Sequence, residues 1–445
     1  MNQDDSIIIP FSLDEYGPIQ PSSPEWELPK RMRFWDGPIR AFLREQGYTM
    51  NEFCSLEDEE LDSIGCYMFP VTPCPTGKPR DLRFASMEPS PAAAWRVLYE
   101  KPYSECTSGK HVFAQETEHP ENHVAIKLIR HESPEHHIMR LLQDEAKGEA
   151  TRGLVPVLKL LPFGGHWLAV MPRWGSTVDS PWPKTIGQVL DRFEDALSGL
   201  AYLHERRIVH RDISKMNMLV NHVPYSNQFW EELSDPIRQR MREERELKLG
   251  LFDYNLSLVF PRDTPLALAR SRIEDFNLGR WKFDFDIAQG EYQYNPFAVD
   301  VFCMAYCMGQ GIQHLAPIAP ILAPIIDGMT HWHVPSRLTA AEALSLLRDL
   351  RAEHNPIIAH LAAPTLEEMD CGYPSLMDCD RWKGLPEEFI HRWKHLRTPP
   401  IPHHIRLLRL LCSFEPISLF FQAVRCTADR LLGKMYISLS TVDIL

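Results

Sequence analysis

The sequence predicts an α+β protein of two lobes, a small β-rich one followed by a larger helical one. Two observations carry this. Between Trp95 and Met171, five short runs, WRVLYE, HVFAQE, HVAIKLI, LVPVLKLL and HWLAVM, have strand composition and are separated by turn-prone segments. After Gly175 the pattern becomes helical, with Ile186, Val189, Leu190, Phe193, Ala196, Leu197, Leu200 and Leu203 on one face of a helix from Ile186 to Arg206. Strands grouped before helices imply two parts of different class, and a cleft between such parts is a natural place for a ligand.

Each element follows in chain order. Residues 1–30 are acidic and Pro-rich, with no basic stretch leading into an apolar one, which argues against a secretory signal. A short helix is expected from Pro38 to Gln46, ended by Gly47, with Phe34, Trp35, Ile39, Phe42 and Leu43 on its apolar side. Residues 69–94 are rich in Pro and short side chains and read as a linker, so 1–94 is taken as an N-terminal extension and 95–175 as the β-rich lobe. Within that lobe, Ser133 to Ala146 reads as a helix with Ile138, Leu141 and Leu142 inward. The helical lobe spans 176–355, with further helices at Val299–Gly309, Ile318–Met329 and Thr339–Glu353; Thr339 and Glu342 have the spacing of a capping box. Inside it, residues 222–248 are dense in both charge signs and read as an exposed, largely helical excursion held by i,i+4 pairs. Residues 356–445 read as a helical C-terminal extension, with patterns at Glu387–Leu396 and Arg406–Leu432 that are expected to pack on the helical lobe, a membrane-surface role being the weaker alternative.

Composition narrows the function. The chain has 445 residues, 44% apolar and 24% charged, in the ordinary globular range. Its net charge of −13 disfavours nucleic acid as a partner, whereas a nucleotide needs only a local cluster of donors. The most apolar window, Leu407 to Val424, is broken by Arg409, Glu415 and Pro416, so no transmembrane segment is expected. Ten scattered cysteines form no C-x-x-C pair, and the pairs His136/His137, His331/His333 and His403/His404 lack acidic or cysteine partners at ligand spacing. Cys303 and Cys307 share a helix face and read as packing residues. A soluble, intracellular protein, cytoplasmic or nuclear, is expected.

The strongest chemical signal is His210-Arg211-Asp212-Ile213-Ser214-Lys215-Met216-Asn217, after the Ile186 helix and before the apolar run Met218-Leu219-Val220. Phosphoryl transfer needs a carboxylate for the nucleophile's proton and oxygen ligands for magnesium; an Asp and an Asn five positions apart supply both from one loop. Here the chain resembles the protein kinase superfamily, whose catalytic loop is H-R-D-x-x-x-x-N. The resemblance implies a bilobal protein-kinase-like fold, with Asp212 as catalytic base and Asn217 as a Mg²⁺ ligand. Val124-Ala125-Ile126-Lys127 is similar to the family's V-A-I-K strand, making Lys127 the residue for the α- and β-phosphates. Glu135, in E-H-H-I-M-R-L-L, would be its helix partner, although only eight positions separate the two. Phe252-Asp253-Tyr254-Asn255 sits where the family has Asp-Phe-Gly, with Asp253 as a metal ligand, Tyr254 as aromatic anchor and Asn255 expected to take the φ > 0 turn position.

Later motifs extend the likeness over residues 95–355. Tyr294-Asn295-Pro296-Phe297 followed by Asp300-Val301-Phe302 resembles the buried helix whose aspartate holds the catalytic-loop backbone, and Arg337-Leu338-Thr339-Ala340 resembles a late helix start. His166 to Trp174 would be the fifth strand and hinge, with Met171 as gatekeeper and the backbone near Trp174 on adenine. Phe34 to Met50, with its Gly47-Tyr48-Thr49, is similar to a segment of divergent fungal kinase-like proteins.

Three departures stand out. The phosphate-covering loop, Tyr103 to Val112, has one glycine, Gly109, where the family has three, and Glu105 would oppose phosphate. Ser214 replaces a phosphate-contacting lysine, with Lys215 one position late. No Ala-Pro-Glu follows the Asp253 loop, which leaves Arg337 without its usual glutamate. Thr264 and Ser271, conceivable phosphosites for Arg211, read first as ordinary loop hydroxyls. The expected function is therefore Mg²⁺·ATP-dependent transfer to a protein hydroxyl, as in a serine/threonine kinase, on a substrate the sequence does not identify. The rivals are a pseudokinase or scaffold with weak or no catalysis and a small-molecule kinase that shares H-x-D-x-x-x-x-N.

Overall fold

The computed structural model describes residues 34–58, 63–69, 83–85, 104–105, 111–145, 153–175, 180–223, 236–278, 286–369, 375–376, 379–433 and 436–439. The protein is mixed α+β and divides into two compact units, residues 1–182 with 219–250 and residues 183–218 with 251–445.

The first unit is built on an antiparallel five-stranded sheet. Trp35–Ile39 forms a wide helical turn that runs into α1 (Arg40–Glu45), and Gly47 at φ +87° ends it. Strand β1 (Tyr48–Met50) follows, then a hairpin of β2 (Glu52–Asp58) and β3 (Ser63–Phe69), whose free side takes β4 (Ser104–Glu105). Strands β5 (His111–Glu116) and β6 (His123–Arg130), helix α2 (Pro134–Glu145), and strands β7 (Lys159–Phe163) and β8 (His166–Pro172) complete the element set. The sheet order is β1-β5-β6-β8-β7. Its core gathers Val112, Val124, Ile126, Leu168 and Val170 from alternating strand positions against Trp35, Ile39 and Leu43.

Two expectations change here. The edge strand next to β5 is Tyr48–Met50, from the stretch read as an extension, while the run at 95–100 lies outside the described residues. Three residues are too short to display a period-two pattern, although Tyr48 and Met50 both point into the core. In the LVPVLKLL run the continuous strand begins at Lys159, with Leu154 in an isolated bridge and the Leu158 N–H on the Val170 carbonyl at 2.8 Å; Pro156 between them has no N–H to contribute to a ladder.

The chain passes through α3 (Ile186–Glu205) and β9 (Ile208–Val209) in the second unit, then returns by β10 (Met218–Val220), α4 (Pro236–Glu243) and β11 (Leu249–Leu251), with β10 and β11 paired. Of the charged segment, the described residues 236–248 are helical over Pro236–Glu243 and expose Arg240, Glu243, Glu244, Arg245, Glu246 and Lys248, but one face of the helix is docked. Ile237, Arg238, Met241 and Arg242 are buried. Arg238 donates through Nε to His222 Nδ1 at 3.1 Å and through its terminal nitrogens to the carbonyls of Ser180 and His222, both at 3.3 Å. Gly175 allows this approach: a Cβ there would lie 2.2 Å from the His222 carbonyl oxygen. Gly250 is similarly enforced, since its Cβ would meet the 154–155 peptide at 2.8 Å.

The second unit is largely helical. Thr185 caps α3 by accepting from the Gln188 N–H. Strands β12 (Leu258–Val259), which pairs with β9, β13 (Ala269–Arg272) and β14 (Gln293–Tyr294) lead to α5 (Pro296–Gly309), capped by Asn295 with Pro296 in its first turn. Then come α6 (Leu322–Thr330) and α7 (Ala340–Ile358); the expected capping box is present, Glu342 accepting from the Thr339 N–H at 2.8 Å and Thr339 Oγ1 from the Glu342 N–H at 3.3 Å. α7 runs along α3 and is tied to it by Arg351, which bonds Asp191 and Glu194. Helix α8 (Glu387–Trp393) packs its segment on α6, where the buried carboxylate of Asp327 accepts from Arg381 Nε, Trp382 Nε1 and the Thr398 N–H at 2.8–3.0 Å. The expected helix 406–432 is two helices, α9 (His403–Cys412) and α10 (Glu415–Leu431), followed by β15 (Ile437–Leu439), which pairs in parallel with β13. Among the described residues no single helix is long and apolar enough to cross a membrane; α9 and α10 together meet that length and composition but are bent by 115°.

Two buried histidines in the first unit set an acid limit. Burial, then the charge of Arg173, pushes His123 down to about 3; burial, then Arg238 and Arg240, does the same to His222. The folded rings stay neutral while the unfolded chain protonates near 6.5, so their contribution is full above that pH. It is lost as pH falls from about 6.5 towards about 3, by about 1.4 kcal/mol per pH unit for each ring. Urea unfolding between pH 7 and pH 5 should show this slope, and a His123→Gln, His222→Gln variant should flatten it.

Candidate active site

In the first unit, Lys127 lies on β6 and Glu135 in the first turn of α2. Lys127 Nζ donates to Glu135 Oε1 at 2.5 Å, with both side chains largely buried. Eight positions suffice because the connection is tight. Glu132 takes φ +58°, Ser133 accepts at Oγ from the His136 N–H at 3.1 Å as an N-cap, and Pro134 occupies the first helical position. The His136 ring stacks on Trp167 of β8, with centroids 4.9 Å apart, which steadies the helix start. Asp144, at the other end of α2, is exposed.

Met171 is buried on β8 opposite Ala125 of β6. Beyond it, the Arg173 N–H donates to the His123 carbonyl at 2.9 Å, and Gly175 exchanges two backbone hydrogen bonds with Val220. Trp174 lies between Arg173 and Gly175, its indole N–H on the Arg83 carbonyl at 2.9 Å. Gly109 lies outside the described residues. Of the loop around it, Ser104 and Glu105 are the paired strand β4, opposite Met68 and Tyr67.

In the second unit the loop 210–217 is held from several directions. The carboxylate of Asp300 on α5 accepts from the His210 N–H at 2.7 Å and the Arg211 N–H at 2.8 Å, and lies 3.2 Å from His204 Nε2. The His210 ring accepts at Nδ1 from the Asp212 N–H at 3.3 Å, which leaves Nε2–H to donate to the Phe252 carbonyl at 3.0 Å. Those two partners specify a neutral ring protonated at Nε2. Ser257 donates to the His210 carbonyl at 3.1 Å, and the Cys307 thiol to that of Ile213 at 3.6 Å. Burial pushes the neighbouring Cys303 thiol well above its ordinary value, in keeping with a packing role.

Within this frame Asn217 Nδ2 donates to Asp212 Oδ2 and to the Asp212 carbonyl, both at 2.8 Å. That use of the amide nitrogen leaves Asn217 Oδ1 as the side-chain oxygen suited to a cation. The Phe252 N–H donates to the Asn217 carbonyl at 3.1 Å, which brings Asp253 beside the loop. Asp253 has φ +68° and Arg211 φ +66°. The left-handed position is therefore Asp253 and not Asn255 as expected; a short polar side chain such as Asp tolerates it best after Gly and Asn. Tyr254 is buried, its ring 5.6 Å from that of His210. Asp253 and Asn217 carry hard oxygens of the kind that could hold a divalent cation such as Mg²⁺.

Other readings are corrected by burial. Arg337 has a carboxylate partner after all: Asp286 takes it in a bidentate pair at 2.7 Å. No tripeptide motif marks Asp286, which is why sequence reasoning missed it. Thr264 and Ser271 are fully buried, and the Arg211 guanidinium donates instead to the Asp275 carbonyl at 2.7 Å, so neither hydroxyl is presented for modification. Ser214 is buried and Lys215 exposed.

The Asp300 carboxylate should be the most sensitive structural position in this unit. Removing it orphans two buried N–H groups, so Asp300→Ala should lower stability by about 3–5 kcal/mol in chemical unfolding.

No protein-family model matches this chain.

Proposed function

We propose that the protein is a Mg²⁺·ATP-dependent phosphotransferase with a bilobal protein-kinase-like fold, acting on a protein serine or threonine hydroxyl. The observation that carries the reading is the hydrogen bond from Asn217 Nδ2 to Asp212 Oδ2, in a loop whose backbone is held by buried Asp300. That bond orients one carboxylate to accept a proton and frees an amide oxygen five residues later for a cation. Asp212 would take the proton from the attacking hydroxyl. Asp253 and Asn217 would hold Mg²⁺, which when bound neutralises charge on the phosphates. Lys127, aimed by Glu135, would hold the α- and β-phosphates as a point charge. Met171 would wall the adenine pocket, and the main chain at Trp174 would meet the base.

One observation favours a second reading, a kinase-like scaffold with little catalysis. Ser214 is buried where the family carries a phosphate-contacting lysine, and Lys215, one position later, is exposed.

The test is thermal unfolding with and without ATP and Mg²⁺, paired with a phosphate-transfer assay. Nucleotide at about 100 times its Kd should stabilise the folded chain by about 2.7 kcal/mol, and Lys127→Ala and Asp253→Ala should each abolish that gain. Asp212→Ala should keep the gain and lower transfer by about 10²–10⁴-fold. A Mg²⁺-dependent gain with no turnover in the wild type would select the scaffold; no gain at millimolar ATP would remove the nucleotide site.

A further inference from the structure

Helices α9 and α10 turn a mixed side, with Ile405, Leu408, Ile417, Phe421, Arg425 and Asp429, to the protein and leave large apolar side chains outward. The inward side is anchored: Arg425 donates to the Gln289 carbonyl at 3.1 Å, and Tyr292 donates to Asp429 Oδ2 at 3.0 Å. Phe421 sits so close over Gly290 that a Cβ there would lie 2.5 Å from its own Cβ. The opposite side carries Leu407, Leu410, Phe414, Phe420, Val424 and Leu431, with Leu410 and Phe420 each 63% exposed. Neither helix has a buried residue. This is the reverse of α3, which buries its leucines, and water as the only neighbour does not account for it.

Charge indicates the occupant. In a chain of net charge −13, the exposed charged residues of the two helices are Arg406 and Arg430 against Glu415, while Asp429 and Arg425 are turned inward onto Tyr292 and Gln289. Arg406 and Arg430 are exposed, adjacent in sequence to Leu407 and Leu431, and His403 and His404 are exposed at the start of α9. Basic residues beside exposed Leu and Phe suit a surface that is apolar below and anionic above. The two helices jointly reach the composition of a membrane segment, yet the 115° bend divides it. At 10 and 17 residues they are about 15 and 25 Å long, each short of the ~30 Å apolar core.

We propose that the α9–α10 hairpin is a monotopic anchor that lies in the surface of an anionic lipid bilayer. It enters with Leu410 and Phe420, while Arg406 and Arg430 meet the headgroups. The assignment is independent of the catalytic reading.

Flotation of the full chain with phosphatidylcholine vesicles, with and without about one-third phosphatidylserine, tests it. The expected result is co-flotation with the anionic vesicles, about tenfold weaker on neutral ones and released by high salt. Leu410→Asp with Phe420→Asp should reduce the bound fraction tenfold or more at an unchanged thermal midpoint. Arg406→Glu with Arg430→Glu, which removes no large apolar side chain, should abolish the preference for phosphatidylserine. A wild-type chain that stays unbound to both vesicle types overturns the proposal. So does one that dimerises through this face without binding vesicles, and one that alkaline carbonate cannot strip from the vesicles, which would mean a span.

Discussion

The geometry of the loop 210–217 depends on one buried carboxylate. Asp300 is almost fully buried on α5, and an ionised group there survives only if its oxygens are occupied by donors. Two of those donors are the consecutive amides of His210 and Arg211, so the loop's conformation and the charge's burial require each other. Arg211 takes a left-handed backbone as part of this arrangement, a strain the surrounding bonds outweigh. From that point the order propagates: His210 reaches Phe252, Phe252 reaches Asn217, and Asn217 orients Asp212. Asn295 and Pro296 begin α5 at the point that puts Asp300 one turn inside the helix.

The first unit solves a similar problem by a different route. Lys127 is held by a strand and Glu135 by the first turn of a helix, and the two are joined by a connection with no slack. A serine cap and a proline make that short connection a helix start, so the carboxylate is delivered without a longer excursion. In both arrangements charged side chains are positioned by backbone geometry and by hydrogen-bonded neighbours.

Composition was a poor guide to exposure in two places, and in opposite senses. The segment richest in mixed charge docks through Arg238, because its partners, the carbonyls of Ser180 and His222, come from outside the helix. The last two helices leave many of their leucines and phenylalanines outside, their contacts with the body including Arg425, Asp429 and Phe421. Counts of charged and apolar residues state how much of each surface exists. Which face is covered depends on groups supplied by distant parts of the chain.

The sequence by itself determined the elements whose signal is local. The period-3.6 face of α3, the capping box of Thr339 and Glu342 and the strand at His111–Glu116 are legible because every contributing residue lies within a few positions. The sequence order of His210, Asp212, Asn217 and Asp253 picked out residues that the structure joins through hydrogen bonds around the loop 210–217. Tertiary structure alone decided the rest: Tyr48–Met50 as the edge of the sheet, Asp286 as the partner of Arg337, the left-handed turn at Asp253 rather than Asn255, and the outward face of the last two helices. Each of these is a pairing between residues far apart in sequence or a choice among faces of equal local merit, and such choices are made by packing and by the need to satisfy buried polar groups.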